Sequence, residues 1–574
     1  MGGSSSKRVA PDAAAAEGKP VAAAVDAPPP SIDASTCPPK VAEALTELLS
    51  LRVKMLSLPL SYTAPYTGEV HQEVLAALQR MKEVTEAPDV KAWCKQRLEK
   101  NESEFIAYAA ENAAKESEEQ VGGDETDFFS VPKCDTHLHL SAVMTSPQLW
   151  SYLRELRDEH GERIVDEETG LTVKAVLEES GFADGKRDLD DMRTIATKDM
   201  FRDFGKFNQA FKPFSSPAIK NLVFKYDNST DGAFLKLYIE KCVANAASFN
   251  AYLEPRISIK GRKYGEWEAL AKWVHAHKVT HERLLWAVQL PRVYQVWHET
   301  GDVASFGALV TNFFGPLFDA TLHPEEHPEL AWFITECVGI IDTVDNEDVY
   351  DEYELGSLPA ASEYTSIDNP TYGYYHFYWW ANMRALNELR AARKLPPIAL
   401  RPHAGEAGAT HHLASAFLFA DGISHGINLV KSPVLQYLYY LARVGVSVSP
   451  LSNKALFIDY AENPFASLFH RGLRVTLTTD DPLMFHLTPQ PLLEEYAVAR
   501  AVWRLSMTSM CEIAHNSVLI ASLPPERKAA LAVEDQEITN VPKRRFDFRR
   551  QVLASNFAVL QSAAPKSPYW AAPG

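Results

Sequence analysis

Basic residues are in short supply in this 574-residue chain: 57 Lys and Arg stand against 75 Asp and Glu, a formal net charge of -18. A general nucleic-acid binder presents a basic surface, so this balance excludes that class and leaves room only for a local basic pocket suited to a small anion. Cysteine is scarce too. The six (Cys37, Cys94, Cys134, Cys242, Cys337, Cys511) are widely scattered and form no CxxC pair. That argues against a disulfide scaffold and against a structural zinc ribbon, and fits reduced thiols in the cytosol. No run of about 18 apolar residues exists, so no transmembrane helix is expected. What the chain does have is 46% hydrophobic and 10% aromatic residues, enough for a large buried core.

The first 36 residues are different: Ala, Gly, Ser and Pro make up 23 of them. No apolar periodicity runs through them, so residues 1–40 are expected to be a disordered tail. The tail lacks the apolar core of a secretory signal. It does carry Gly2 after Met1 and Ser6 where an N-myristoylation pattern needs a hydroxyl, followed by Lys7 and Arg8. Acylation at Gly2 would give weak, reversible peripheral membrane association. The alternative is a flexible tail whose small residues match by chance.

Residues 41–127 are expected to form a helical N-terminal region and linker. EVLAALQRMKEV spaces its apolar residues as a helix does, and KESEEQVGGDETD reads as an acidic linker around Gly122 and Gly123. From 128 to 545 short β-branched runs alternate with helical patterns. Residues 253–259, 283–290, 397–403, 445–450 and 473–479 read as buried parallel strands, and 432–444 as one of the helices between them. This alternation predicts an α/β fold, a (β/α)8 barrel with helical insertions. Residues 546–574 are expected to be a C-terminal helix and a frayed tail.

Four short segments carry chemistry, all at predicted strand ends, where barrel enzymes place their active residues. KCDTHLHLSAV holds His137 and His139, which point to one face of a strand and can chelate one metal. LRPHAGEAG holds His403 at the end of a β-run and Glu406 just past a glycine turn. Alone, this is also what a carboxylate at a helix N-terminus looks like. DGISHGINL holds His425. VTLTTDDPLMFH ends a strand on Asp480 and Asp481, whose mutual repulsion a divalent cation would relieve. Each segment is ambiguous by itself. Together they supply three histidines and a carboxylate, with an extra His and an extra Glu, a set suited to Zn²⁺ with a position left for water.

In this order, KCDTHLHLSAVM, FGKFNQAF, EPRISIKGR, QLPRVY, YYHFYWWANM, RPHAGEAG, SHGINLVKSPVLQYLYYLA, SPLSNKALF and TTDDPLMFH resemble the AMP deaminase family, over about residues 131–545. The resemblance implies a (β/α)8 barrel with one zinc per chain and the reaction AMP + water → IMP + ammonia. It implies His137, His139, His403 and Asp480 as metal ligands, Glu406 as the acid that protonates purine N1, and His425 as proton acceptor for the attacking water. Asp481 would contact N7, with Pro482, Leu483 and Met484 continuing that segment, and His139 and Glu406 would also face the substrate. Lys206, Phe207, Asn208, Gln209, Ala210 and Phe211 resemble the substrate-binding loop. Relatives often assemble as tetramers, so a cytosolic homo-oligomer is expected.

The chain departs from the family at the phosphate end. Gln209, Ala210 and Phe211 stand where Ser-Lys-Tyr is usual, and Thr145, Ser146 and Pro147 where Asn-Gln-Lys is usual. Lys206 and Lys212 flank the first departure. Arg256 and Arg292 are further phosphate candidates, with a structural ion pair the stronger reading for both. The nearest alternative is an adenosine deaminase, the same chemistry without the phosphate. No bridging lysine for a binuclear centre stands out, and no Pro-Cys-x-x-Cys occurs, which excludes the cytidine-deaminase type. A catalytically dead, membrane-tethered interaction protein is the reading from another class, and the presence of all six reactive positions speaks against it.

Overall fold

The computed structural model describes residues 36–120, 128–181, 217–344, 356–406 and 409–571. The N-terminal tail with Gly2, and the loop 206–211, lie outside the described residues. Eight parallel strands form the centre: β1 (Lys133–His139), β2 (Ala251–Ser258), β3 (Trp286–Leu290), β4 (Val338–Thr343), β5 (Ala399–Leu400 and His403–Ala404), β6 (Gly422–His425), β7 (Gly445–Val448) and β8 (Val475–Leu477). β1 to the first half of β5 run side by side in chain order, and the second half of β5 continues through β6 and β7 to β8. Pro402 has no N–H to offer and divides β5. Arg401 N still reaches Ile341 O (3.0 Å) on one side and Ser424 N reaches Pro402 O (2.9 Å) on the other, so the ring is continuous through the break.

The ring closes between its first and last strands. Leu138 pairs with Asp480, through Asp480 N to His137 O (2.8 Å) and His139 N to Asp480 O (3.0 Å). A closed barrel leaves no open sheet edge, and helices between successive strands make it the expected (β/α)8 barrel. The five predicted runs lie on β2, β3, β5, β7 and β8. β4, the apolar run VGIIDT, was not anticipated.

Beneath the mouth, the barrel interior is polar rather than greasy. Arg256 on β2 pairs with Asp342 on β4 and donates to Ser424 Oγ on β6 (3.0 Å), with both partners of the ion pair fully buried. Thr136 on β1 bonds Ser447 on β7 at 2.7 Å. Even and odd strands thus contribute separate layers, as barrel geometry dictates.

Three N-terminal helices, α1 (Pro39–Ser57), α2 (Gln72–Glu86) and α3 (Pro88–Glu119), lie against the barrel's outer helices. Proline opens α1 and α3 at the position where a missing N–H costs nothing. Lys115 and its neighbours to Glu119, read from sequence as linker, continue α3. Arg52 of α1 donates to the carbonyls of Phe417 and Ala420 on the barrel. α3 is tied to α4 (Met507–Ile520) and to the C-terminal helix α5 (Lys543–Ala563) by one buried cation. Arg545 bonds Glu116 at 2.7 and 2.6 Å and Glu512 at 3.0 Å. Arg545 and Arg549 together hold the Glu512 carboxyl below its usual range against the opposing effect of burial. The end of the chain, expected to fray, forms a 3-10 turn at Pro568–Ala571, with Trp570 Nε1 bonded back to Ala564 O at 2.8 Å.

Removing Arg545 leaves Glu116 buried without its cation. R545A is expected to lose about 3–5 kcal/mol of stability, read as a lowered urea midpoint. The double variant R545M/E116Q, in which Glu512 keeps Arg549, is expected to recover most of the loss.

Candidate active site

Barrel closure brings the first and last strands' polar residues together. His137 Nε2 and His139 Nδ1 each lie 3.3 Å from Asp480 Oδ1, and His139 Nδ1 is 3.1 Å from Asp481 Oδ1. From the other side of the ring come His403 on β5 and His425 on β6, whose ring centres lie 4.4 and 4.5 Å from that of His137. Glu406 Oε2 sits 3.4 Å from His425 Nε2. Donor atoms of His137, His139 and His403 lie within 4.8 Å of one another, and so do those of His137, His425 and Asp480. The six residues from four distant segments therefore share one buried spot at the C-terminal mouth. Pro482, Leu483 and Met484 form the short helix Pro482–Phe485 directly after Asp481.

The local backbone serves this placement. Asp480 and His425 both have left-handed φ, 61° and 70°, a conformation that costs non-glycine residues on the order of 1–3 kcal/mol. His425 is the last residue of β6, and Asp480 adopts this conformation where it bridges to Leu138 of β1. Gly405 (φ 68°) makes the turn between His403 and Glu406, and a Cβ there would meet Leu413 Cδ2 at 2.7 Å.

The electrostatics favour a cation. Burial, reinforced by Arg256, His403 and His425, holds His137 well below the ordinary histidine range, so its imidazole is neutral with a lone pair free to coordinate. Neither of its ring nitrogens makes a hydrogen bond although the residue is fully buried. Asp480 is kept ionised by His137 and His139 against the opposing effect of burial. Loss of solvent works against charge on His139, yet Asp481 and Asp480 outweigh it and push the ring up to about 10. Clustered imidazoles facing carboxylates are the donor set of a divalent transition metal, whose binding displaces any proton from a ligating ring nitrogen. The residues present fit such an ion.

Sequence reading missed the residues that hold this set in place. Asp342 at the end of β4 accepts from His403 N (3.0 Å) and meets His403 Nδ1 at 3.1 Å, which leaves Nε2 as the ring's other donor. Burial opposes charge on Asp342, but His403 and Arg256 hold its carboxyl far below the usual range. Gln289 at the end of β3 touches His139 Nε2 at 3.1 Å, and Ser452 Oγ donates to Asp480 Oδ2 at 2.7 Å. The buried Glu495 accepts from Leu451 N (3.3 Å) and lies 3.2 Å from His486 Nε2, joining the loops after β7 and β8. A polar residue closing an apolar strand was the available signal for Asp342 and Gln289. Nothing local marks Glu495.

The two arginines considered for phosphate are committed elsewhere. Arg256 is locked to Asp342. Arg292 is buried, donates to Pro370 O at 3.0 Å and lies between the rings of Tyr372 (5.4 Å) and Tyr375 (5.2 Å). Ser146, at one departure, donates to Leu483 O at 2.8 Å.

Fold and site together define a (β/α)8 barrel with a histidine–aspartate metal-binding cluster at its catalytic end. Residues 62–566 match the AMP deaminase family, and the chain belongs to it. It is 40% identical over 482 residues to a probable AMP deaminase of Oryza sativa subsp. japonica, covering 82% of this chain and 59% of that protein. To AMP deaminase 3 of Rattus norvegicus it is 37% identical over 494 residues, covering 84% and 64%. The chain thus spans about three-fifths of the length of these curated relatives. Among solved structures, the apo N6-methyl-AMP deaminase of Arabidopsis thaliana is 16% identical with a TM-score of 0.41, covering 73% of this chain and 98% of that one.

Because Asp342 fixes the tautomer and direction of His403, D342N is expected to weaken metal affinity roughly 10- to 100-fold. Chelator competition, followed by metal analysis of the recovered protein, measures it.

Proposed function

We propose that this chain hydrolyses AMP to IMP and ammonia with one zinc ion per chain, held by His137, His139, His403 and Asp480. The observation that carries the reading is the pairing of Glu406 with His425 beside a buried three-histidine, one-carboxylate cluster, in a chain of the AMP deaminase family. Bound zinc supplies Lewis acidity that makes water a nucleophile near neutral pH.

The chain's own residues do the rest. The purine enters the mouth with C6 toward the cluster. Asp481 contacts N7, and the segment Pro482, Leu483, Met484 walls the ring. Glu406 gives a proton to N1, which removes aromatic stabilisation at C6 as water adds. His425 takes the proton of the attacking water and stabilises the charge that develops there. The proton held by His425 then passes to the exocyclic amino group, which leaves as ammonia, while the C6 hydroxyl proton returns to Glu406 and the C6 carbonyl of IMP forms. The buried mouth limits competing solvent. By resemblance, Lys206, Phe207, Asn208, Gln209, Ala210 and Phe211 belong to the substrate-binding loop.

The same resemblance supports a homo-oligomer, in the family's pattern a tetramer, working in the cytosol. No described helix is long and apolar enough to cross a membrane. We further propose N-myristoylation at Gly2 on the pattern of Gly2 and Ser6. Labelled myristate is expected to enter the wild type and not G2A, and an unlabelled wild type removes the idea.

E406Q and H425A are each expected to lose roughly 100- to 10,000-fold in kcat while keeping their metal, whereas D480A loses the metal itself. Steady-state assays with metal analysis of each variant test this. Near wild-type turnover in E406Q refutes the acid assignment. Higher kcat/KM for adenosine than for AMP moves the substrate to the nucleoside.

A further inference from the structure

We infer that Lys260, on the loop after β2, is the cation that binds the 5′-phosphate and so selects nucleotide over nucleoside. The inference rests on the reading of the substrate as AMP. It starts from strand register. Side chains alternate along a strand, so Glu254, Arg256 and Ser258 share one face of β2. Arg256 crosses the barrel interior to Asp342 and Ser424, which identifies that face as the lumen. Arg256 is buried while Ser258 is exposed, so the lumen opens to solvent between them. Ile259 N still bonds Gln289 O at 3.0 Å. The extended ladder therefore runs one residue beyond Ser258, and the next lumen-facing position is Lys260, which is exposed.

Height along the strand fits as well. Arg256 is in register with His139. Lys260 stands four residues higher, roughly 13 Å at about 3.3 Å per residue. A nucleotide whose C6 lies at the cluster extends its phosphate outward to the mouth, where a long, flexible ammonium side chain at the top of this column can meet it.

Lys260 is also available. Among the described residues its ammonium has no carboxylate partner. Three other cations on loops at the same end are engaged, Arg262 with Asp302 (2.8 Å), Lys454 with Asp459 (2.9 Å) and Arg292 between two tyrosines, while Lys263 and Lys431 are exposed at positions outside this column. The Lys260 backbone, by contrast, is firmly held. The Glu266 carboxylate accepts from the backbone N–H of Lys260 (2.6 Å), Gly261 (3.2 Å), Arg262 (3.0 Å) and Lys263 (3.1 Å). Four amides that could cradle an anion are filled by the chain's own carboxylate, so this loop can offer a phosphate its side chains and not its amides.

The departures at Ser146 and Ala210 both lie on the connection from β1 to β2. Lys260 follows β2, the strand paired directly with β1, and it supplies a positive charge where Ser146 and Pro147 bring none. An ammonium acts as a point charge on phosphate and needs no bidentate fit.

The test compares K260A, K260R and the control K263A with AMP and with adenosine as substrates. K260A is expected to lower kcat/KM for AMP roughly 10- to 100-fold, mainly through KM. Its kcat/KM for adenosine and its thermal midpoint should match the wild type. K260R should stay within about threefold for AMP, and K263A should be unchanged. Inhibition by ribose 5-phosphate gives a second reading, with Ki rising in K260A by a similar factor. An unchanged KM for AMP in K260A, or equal losses for AMP and adenosine, overturns the inference and leaves the deaminase reading standing. A wild type that turns over no AMP overturns both.

Discussion

The hydrogen bonds that join β1 to β8 are the constraint on which the site depends. His137 O and His139 N are the groups that Asp480 uses to close the ring. The ladder that makes the sheet cylindrical is therefore the same one that sets two imidazoles beside a carboxylate. Sequence separates these residues by more than 340 positions, and no local propensity brings them together. Any loss of closure would open the sheet edge and disperse the donor set in one event. Stability and metal-site geometry are in this sense a single property of the barrel.

A cluster of this kind is costly to hold without an ion. Asp480 and Asp481 are adjacent and buried, and the Asp481 carboxyl is pushed up by burial and by the charge of Asp480, although His139 opposes this. Asp480 and His425 sit in strained backbone conformations. The surrounding structure over-determines these positions, as strained residues require. Arg256 and Asp342 occupy the layer just below and transmit order upward. The guanidinium fixes the Asp342 carboxylate, the carboxylate fixes His403, and Tyr372 OH bonds the His403 carbonyl at 2.6 Å. Ser452 holds Asp480 from the opposite side. The donor atoms are thereby set before any ligand arrives, which lowers the reorganisation that binding demands.

Much of this was legible in the sequence because its signals are local. The spacing of His137 and His139 puts both on one strand face, and Asp480 and Asp481 end a β-run at Pro482. The alternation of runs gave the barrel. The rest was hidden for identifiable reasons. β4 is a short apolar run before a long insertion, and with it went Asp342, the partner that orients His403. Pro402 lies inside a run that reads as one strand, and only pairing on both sides shows that the strand survives the break. The linker motif begins with Lys115, yet α3 continues because Arg545 and Arg544 wait for Glu116 and Glu119 on its last turn. Glu495 serves two loops at once from a third element. Its role exists only in three dimensions, and no spacing rule describes it.

The architecture separates reactivity from selectivity. Residues proposed for the chemistry lie at strand ends, fixed by the ladder and by the buried polar layer, where a shift of one residue would reverse every side chain. Residues that face the outer end of a ligand lie on connections, where the chain can change without disturbing closure. The sequence bears the mark of that division. All six reactive positions keep their expected identities, while the departures at Ser146, Ala210 and Phe211 fall on the β1–β2 connection. Ser146 now bonds the Leu483 carbonyl and so takes a structural part in the loop that follows Asp481. A cation can migrate from a connection to the adjacent strand top at little cost, because phosphate recognition by an ammonium depends on charge and reach more than on angle. A metal ligand cannot migrate in the same way, since its donor atom must meet three others at one point. Fixed chemistry beside a phosphate contact that is free to move between loops is therefore the arrangement that this barrel geometry favours.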